Sequence, residues 1–532
     1  MHPPSKRYAV YALSAFVLVN VFAFVDRQIL AVLAEDIKAD LGLSDAELGF
    51  IFGTAISVFY VIFSIPLARL ADVWTRKNVL AGCVAAWSAM IFLTGCARSF
   101  VSFAVFRAGV GVGEAGCWPA LMSLIADYFS PRLRSTAMSI AAAGVPIGGG
   151  LGLLLGGYVL DAWHGLYPDP ANAPLGLKGW QVAFFVVAVP GPFLALWLWS
   201  LREPQRGQNE GLVEAVPSGA QPRPFVATIT ELAATLPVLS LVPMSRHAGA
   251  ARRIILNLAI AFALAGGAAG LIAVTGSPAQ WIAVAVGVYC VATWLQNLAL
   301  RDPAAFAMIV KCRTLTFANL GVAAYVFVIA GIAGWFVPFM IRAYDATAAE
   351  AGAIVGVILA ACGLFGNVLG GALADILERR TDRAKIYVML LSLALAAPAI
   401  VTMLHAQSKM EAYSLFGIFY FAATLWYGIG PALANSLVTP RVRGISTAFY
   451  LIVFTLLGAA IGPYTMGFVS DSYAASGVDA GEALRKGILL GSVMLVPAGI
   501  LLSLAAVFLP ADQAALLDRA SGFGPRQARV AC

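Results

Sequence analysis

Charge is what this chain has least of. Only 11% of its 532 residues are Asp, Glu, Lys or Arg, where an average soluble domain carries roughly a quarter. Histidine occurs four times, and the seven cysteines (Cys83, Cys96, Cys117, Cys290, Cys312, Cys362, Cys532) are scattered without CxxC spacing. That pattern argues against a disulfide framework and against a zinc site. No G-x-x-x-x-G-K-[S/T] and no G-x-S-x-G run occurs, so an ATP-driven pump and a membrane-embedded enzyme lack their usual residues. The expectation is no enzyme activity, no cofactor and no metal.

What is present is apolar: 61% of the chain is hydrophobic. A hydrocarbon core about 30 Å thick takes about 20 apolar residues per helix, and runs of that length recur from Tyr8 to Leu509. In lipid every backbone polar group must be satisfied within its own segment, which requires helices. The fold class is therefore an all-α polytopic membrane protein. Six runs fall near 8–34, 45–71, 78–97, 99–127, 135–162 and 180–201, and six more near 315–341, 350–377, 385–405, 411–438, 444–471 and 487–509. Between them Ile254–Val274 and Trp281–Leu300, separated by Gly276-Ser277-Pro278, form an inserted hairpin. The first run exceeds a signal-peptide h-region and holds Asp26-Arg27, so it is expected to stay as the first span.

The expected organisation is a six-helix bundle over 1–203, a cytoplasmic linker with an interfacial helix over 204–250, a transmembrane hairpin over 251–301, a second six-helix bundle over 302–510 and a cytoplasmic tail over 511–532. Short loops rich in Lys and Arg, such as Arg76-Lys77, Arg132 and Arg134, Arg252-Arg253 and Arg379-Arg380, fall on one side of this count. By the positive-inside rule both termini are cytoplasmic in the cell (inner) membrane. The same distribution explains the net charge of +7 without nucleic acid. The expected partners are a small amphiphilic substrate, protons and membrane lipids, with the chain a monomer.

The two sets of six echo one another. Leu70-Ala71-Asp72 with Arg76-Lys77 is answered by Leu373-Ala374-Asp375 with Arg379-Arg380, and Pro131-Arg132-Leu133-Arg134 by Pro440-Arg441-Val442-Arg443. These loops resemble the signature G-x-L-A-D-R-x-G-R-R of the major facilitator superfamily, with departures at Ala68, Val73 and Thr75. Within that superfamily, Asp26-Arg27-Gln28-Ile29-Leu30 on the first helix and Arg107, Gly111, Gly113, Glu114 and Ala115 on the fourth resemble the spinster group, as a bacterial-type member. The resemblance spans about 8–203 and 312–509. It implies a major facilitator fold, two six-helix bundles around a central cavity, and proton-coupled movement of lysophospholipids or sphingoid lipids by alternating access. In the family the loop residues Asp72, Arg76, Lys77, Asp375 and Arg379 latch the halves at the cytoplasmic gate.

An ionisable residue at mid-bilayer costs about 2.5–3.5 kcal/mol on insertion scales, so it persists mainly in pairs or cavities. Asp26, Arg27, Arg107 and Glu114 qualify. At about 1.5 Å per residue Asp26 lies roughly 13 Å below Glu35 and Arg107 roughly 10 Å below Phe100, so the two can meet. Glu114 follows Arg107 by seven residues on the same face. We expect Asp26 as main proton site, Glu114 as second, and Arg27 and Arg107 as substrate or charge-pair residues, one arginine being released as a carboxylate takes a proton. A static pair holding helices one and four together is the competing reading. Histidine is no relay here, because His2, His164, His247 and His405 map to loops or helix ends.

Gly144, Gly148, Gly152 and Gly156 form one smooth face on the fifth helix. With Gly144-Val145-Pro146 it resembles a motif linked to exchangers, though packing alone also accounts for it. The second half lacks deep charges. Asn319, Tyr325, Trp335, Asn367, Tyr420, Trp426, Tyr427 and Tyr450, with Trp118 from the first half, are candidate cavity residues for the greasy body of an amphiphile. An organic-anion:proton symporter, for which Arg342 is the one candidate cation in the second half, a drug/proton antiporter and a non-transporting sensor are the alternatives.

Overall fold

The computed structural model describes residues 6–206, 224–237, 239–245, 250–439 and 442–521. Fourteen helices among them are long and apolar enough to cross a membrane. The first six are α1 (Lys6–Leu41), α2 (Asp45–Ala71), α3 (Arg76–Gly95), α4 (Phe100–Tyr128), α5 (Thr136–Leu166) and α6 (Gly179–Ser200). A shorter helix, α7 (Pro224–Thr235), follows and packs against α2. The hairpin is α8 (Ala250–Thr275) and α9 (Pro278–Arg301), and the second six are α10 (Arg313–Tyr344), α11 (Ala348–Glu378), α12 (Ala384–Leu404), α13 (Lys409–Ser436), α14 (Arg443–Ala475) and α15 (Ala480–Leu516).

Two helices, the first and the last, outrun the spans read from hydropathy. The first helix continues past Glu35 to Leu41, because Glu35, Asp36 and Lys38 sit on a helix whose opposite side remains apolar, with Leu33, Ala34 and Ile37 fully buried. The last helix continues through Pro510 to Ser521, beyond the boundary expected at 510. Asp512 explains why the first of these extra turns is held: its carboxylate accepts from the backbone N–H of Thr314 at 2.7 Å. The expected tail from 522 onward lies outside the described residues.

The chain divides into two compact units, one of Met1–Pro243 with Asp345–Ala360, the other of Met244–Tyr344 with Ala361–Cys532. The outer unit boundary cuts α11, and glycine explains the cut. A β-carbon at Gly356 would stand 2.5 Å from the carbonyl oxygen of Gly150, so α5 and the start of α11 touch backbone to backbone. Asp161 of α5 also accepts from the Ala349 N–H at 3.2 Å, which caps the first turn of α11.

Within the first unit α1 packs along α5 on the predicted glycine face. Gly144, Gly148, Gly152 and Gly156 meet Val17, Val21, Val25 and Ile29 in one-to-one four-residue register, and at Gly152 any side chain would stand within 2.5 Å of the Val25 carbonyl oxygen. This fixes the rotation of α1 and turns Asp26, one residue past Val25, toward α4. In the second unit α14 contains a π-helical turn at Phe454–Ala459, and α9 touches α14 through Trp281 on Tyr464 and Trp294 on Phe449.

Candidate functional site

Four charges on α1 and α4, three of them buried, form two crossed pairs. Nη1 of Arg107 donates to both carboxylate oxygens of Asp26, at 2.8 and 2.9 Å, and neither side chain has any solvent exposure. Arg27 donates to Oε2 of Glu114 from Nε at 2.9 Å and also from Nη2. Glu114 is 4% exposed and Arg27 35%. The Asp26–Arg107 contact agrees with the depths read from the sequence. Each carboxylate has its own arginine, Arg107 for Asp26 and Arg27 for Glu114. Adjacent residues on α1 point about 100° apart, so Asp26 and Arg27 reach different levels of α4, and the two long arginine arms bridge the two turns between Arg107 and Glu114.

Local sequence sets this geometry. Ser99 caps α4 by accepting from the Ser102 N–H. Gly113 lets α4 close on α3, since a β-carbon there would stand 2.7 Å from the Trp87 backbone nitrogen, and Gly111 does the same against the Ile56 carbonyl of α2. These flanking glycines press the segment between Arg107 and Glu114 into the bundle. Nε and Nη2 of Arg107 and Oε1 of Glu114 are buried without a hydrogen-bond partner among the described residues. Buried polar groups are nearly always paired, so these three atoms mark unsatisfied binding capacity.

At the other end of the unit, Arg76 is 2% exposed. Its guanidinium pairs with Asp127 on α4, donates from Nε to Glu203 at 2.8 Å, and reaches the Ser123 hydroxyl at 2.9 Å and the Pro204 carbonyl at 3.0 Å. Lys77 donates to the Trp199 carbonyl at 2.7 Å. Arg76 therefore ties α3 to α4 and to the chain leaving α6, and Lys77 ties it to the end of α6, inside their own unit. Asp127 and Glu203 escaped the sequence reading. Their signal was present, an acid in the last turn of an apolar span and another just past the sixth. The side chain of Asp72 lies outside the described ones. Asp375 and Arg379 in the second unit are exposed.

The predicted cavity aromatics do not form one set. Trp335 is fully buried and its Nε1 donates to the Pro463 carbonyl at 2.8 Å, while the Tyr325 hydroxyl meets Ser392 at 3.0 Å. Both serve as packing residues in the second unit. Asn319 and Tyr450 share a small cavity with Met389 and Leu433. Trp426 lies against Tyr325 with the rings tilted, Tyr427 is exposed, and Trp118, Asn367 and Tyr420 are half-buried. Among the histidines, His164 pairs with Asp36 at 3.1 Å near the C-terminal ends of α5 and α1, away from the crossed pairs.

A polytopic helical bundle with balanced charges locked between two of its spans has the construction of a membrane transporter. The chain belongs to the Major Facilitator Superfamily, whose family model matches residues 16–463. It is 26% identical to an MFS-type efflux pump of Mycolicibacterium smegmatis over 88% of this chain and 86% of that protein. It is 24% identical to Protein spinster homolog 1 of Homo sapiens (96% and 82% covered) and 22% identical to Sphingosine-1-phosphate transporter SPNS2 of Danio rerio (93% and 83%). A crystal structure of a bacterial homolog to the human lysosomal transporter spinster, inward-facing and unoccupied, matches 96% of this chain and 99% of that one with a TM-score of 0.70 at 25% identity. The protein is thus an integral membrane transporter of the superfamily, related to the spinster proteins, and not an enzyme.

Proposed function

We propose that the protein is a proton-coupled secondary transporter that moves an amphiphilic, lipid-like solute of lysophospholipid or sphingoid type by alternating access. Asp26 is the main proton site and Glu114 the second. The observation that carries this reading is the crossed pairing of Asp26 with Arg107 and of Arg27 with Glu114, four charges, three of them buried, that sum to zero. A proton on either carboxylate leaves a net positive charge in a medium that solvates it poorly. The cluster then gains from an anionic head on its arginines, or from losing the proton again. The open donors on Arg107 suit a phosphate or carboxylate, for which guanidinium is well shaped. The names of the spinster and sphingosine-1-phosphate relatives agree with a lipid head of that kind.

A drug/proton antiporter is the second reading, favoured by the similarity to an efflux pump over most of the chain. An organic-anion:proton symporter would use the same arginines. Orientation with both termini in the cytoplasm of a cell that carries the protein in its inner membrane, a monomeric state, and a cytoplasmic gate involving Asp72, Arg76, Lys77, Asp375 and Arg379 complete the proposal. The test is uptake into proteoliposomes under an imposed pH gradient, screened over lysolipids, sphingoid bases, organic anions and cationic drugs. Asp26→Asn is expected to abolish the pH-driven component. If that component survives unchanged, Asp26 is not the proton site.

A further inference from the structure

Arg27 has contacts that the crossed pairs do not use. Its guanidinium carbon lies 5.3 Å from the ring centroid of Phe24, one turn earlier on α1, and 5.7 Å from that of Tyr60 on α2. Both distances are inside the range of about 6 Å over which an aromatic face attracts a cation. The guanidinium is thus bracketed by two rings as well as by Glu114, while 35% of the side chain remains exposed. Arg107, by contrast, is enclosed completely. The charged and titratable groups around Glu114 are Asp26 and Arg27 from α1, Arg107 from its own helix and Cys117 one turn on, beside Cys83 of α3.

An arginine held by one carboxylate alone is released when that carboxylate becomes neutral, and its long side chain regains the rotamers it had given up. An aromatic face attracts the cation whatever the protonation state of Glu114. We infer that Phe24 and Tyr60 are positioning residues, an aromatic clamp that keeps Arg27 aimed at its site after Glu114 has taken up a proton, so that the cation stays in place for the anionic head of the solute. The inference rests on the proposed proton role of Glu114 for its purpose, but the clamp itself can be measured without any solute.

The readout is the rate at which phenylglyoxal modifies Arg27, followed by peptide mass spectrometry on the full-length transporter in lipid nanodiscs. Glu114→Gln stands for the protonated carboxylate. With the clamp intact, Glu114→Gln alone should raise the rate by no more than about twofold, and Glu114→Gln with Tyr60→Leu by about fivefold or more, the change that loss of one part-exposed cation–π contact produces. Glu114→Gln with Tyr60→Phe, which keeps the ring, should match Glu114→Gln alone. Phe24→Leu in place of Tyr60→Leu carries the same expectation and serves where the Tyr60 variant does not fold. If Glu114→Gln alone frees Arg27 as fully as the double variants, or if Tyr60→Phe behaves as Tyr60→Leu, the clamp is wrong. Failure of the functional reading shows separately, as absence of pH-driven uptake by the unaltered protein.

Discussion

Removing one member of a buried ion pair strands a charge where water cannot reach it, at a cost of about 3–5 kcal/mol, whereas replacing both members by apolar groups is often neutral. Asp26 and Arg107, both at zero exposure, allow the two roles of their contact to be separated. Asp26→Leu should lower thermal stability by about 3 kcal/mol, and Asp26→Leu with Arg107→Met should recover most of that loss while leaving pH-driven uptake absent. Melting temperature in detergent, set beside proteoliposome flux, makes the comparison. A double variant that restores stability and flux together would reduce the pair to a packing device. The sequence made Asp26, Arg27, Arg107 and Glu114 visible because deep charges are rare and expensive in lipid. Depth along the helices also made Arg107 visible as the partner of Asp26, but not Arg27 as the partner of Glu114, since that pairing depends on the relative rotation of α1 and α4, a property of packing between residues 87 apart in the chain.

At the level of the helix, the rotation of α1 is set by glycine. The face from Gly144 to Gly156 was legible as four-residue spacing, and its partner was not, because Val17, Val21, Val25 and Ile29 are ordinary in an apolar run. The register against α1 accounts for all four glycines, so no exchange chemistry is needed to explain them. Gly152→Leu places a side chain against the Val25 carbonyl and should displace α1 from α5. The expected loss is at least about 3 kcal/mol, beyond the usual overpacking range because backbone rather than a flexible side chain stands in the way. Gly165→Ala, at the same helix's end with open space around it, should leave stability within about 0.5 kcal/mol. Thermal unfolding of both variants checks the pair, and equal losses would contradict the close-approach account. The ties of Arg76 belong to this scale too. Arg76 joins α3 to α4 and to the segment after α6, contacts that become visible only once Asp127 and Glu203 are brought alongside.

For the whole molecule, hydropathy located all fourteen spans within a few residues, except that α1 continues to Leu41 and α15 starts at Ala480; hydrocarbon thickness sets span length independently of tertiary contacts. The hairpin is the part whose purpose the pattern leaves blank, and its packing narrows the choice. Only Asn257 of α8 is buried, where it meets Tyr289, Thr293 and Gln296 of α9. Asn257 of the hairpin is thus satisfied within the hairpin itself. Its ring contacts with the remainder of its unit include Trp281 on Tyr464 and Trp294 on Phe449, each worth about 0.5–1.5 kcal/mol beyond area burial. An insertion of two spans keeps every later helix in its original orientation, and so does its removal. Excising 251–301 and bridging the gap with a flexible linker should therefore lower the melting temperature by a few degrees, the shift about 1–3 kcal/mol produces in a protein of this size, and leave pH-driven uptake within about twofold. A folded, hairpin-free protein that no longer transports would instead assign α8 and α9 a part in the alternating movement, and it would do so through α14, the helix on which both tryptophans rest.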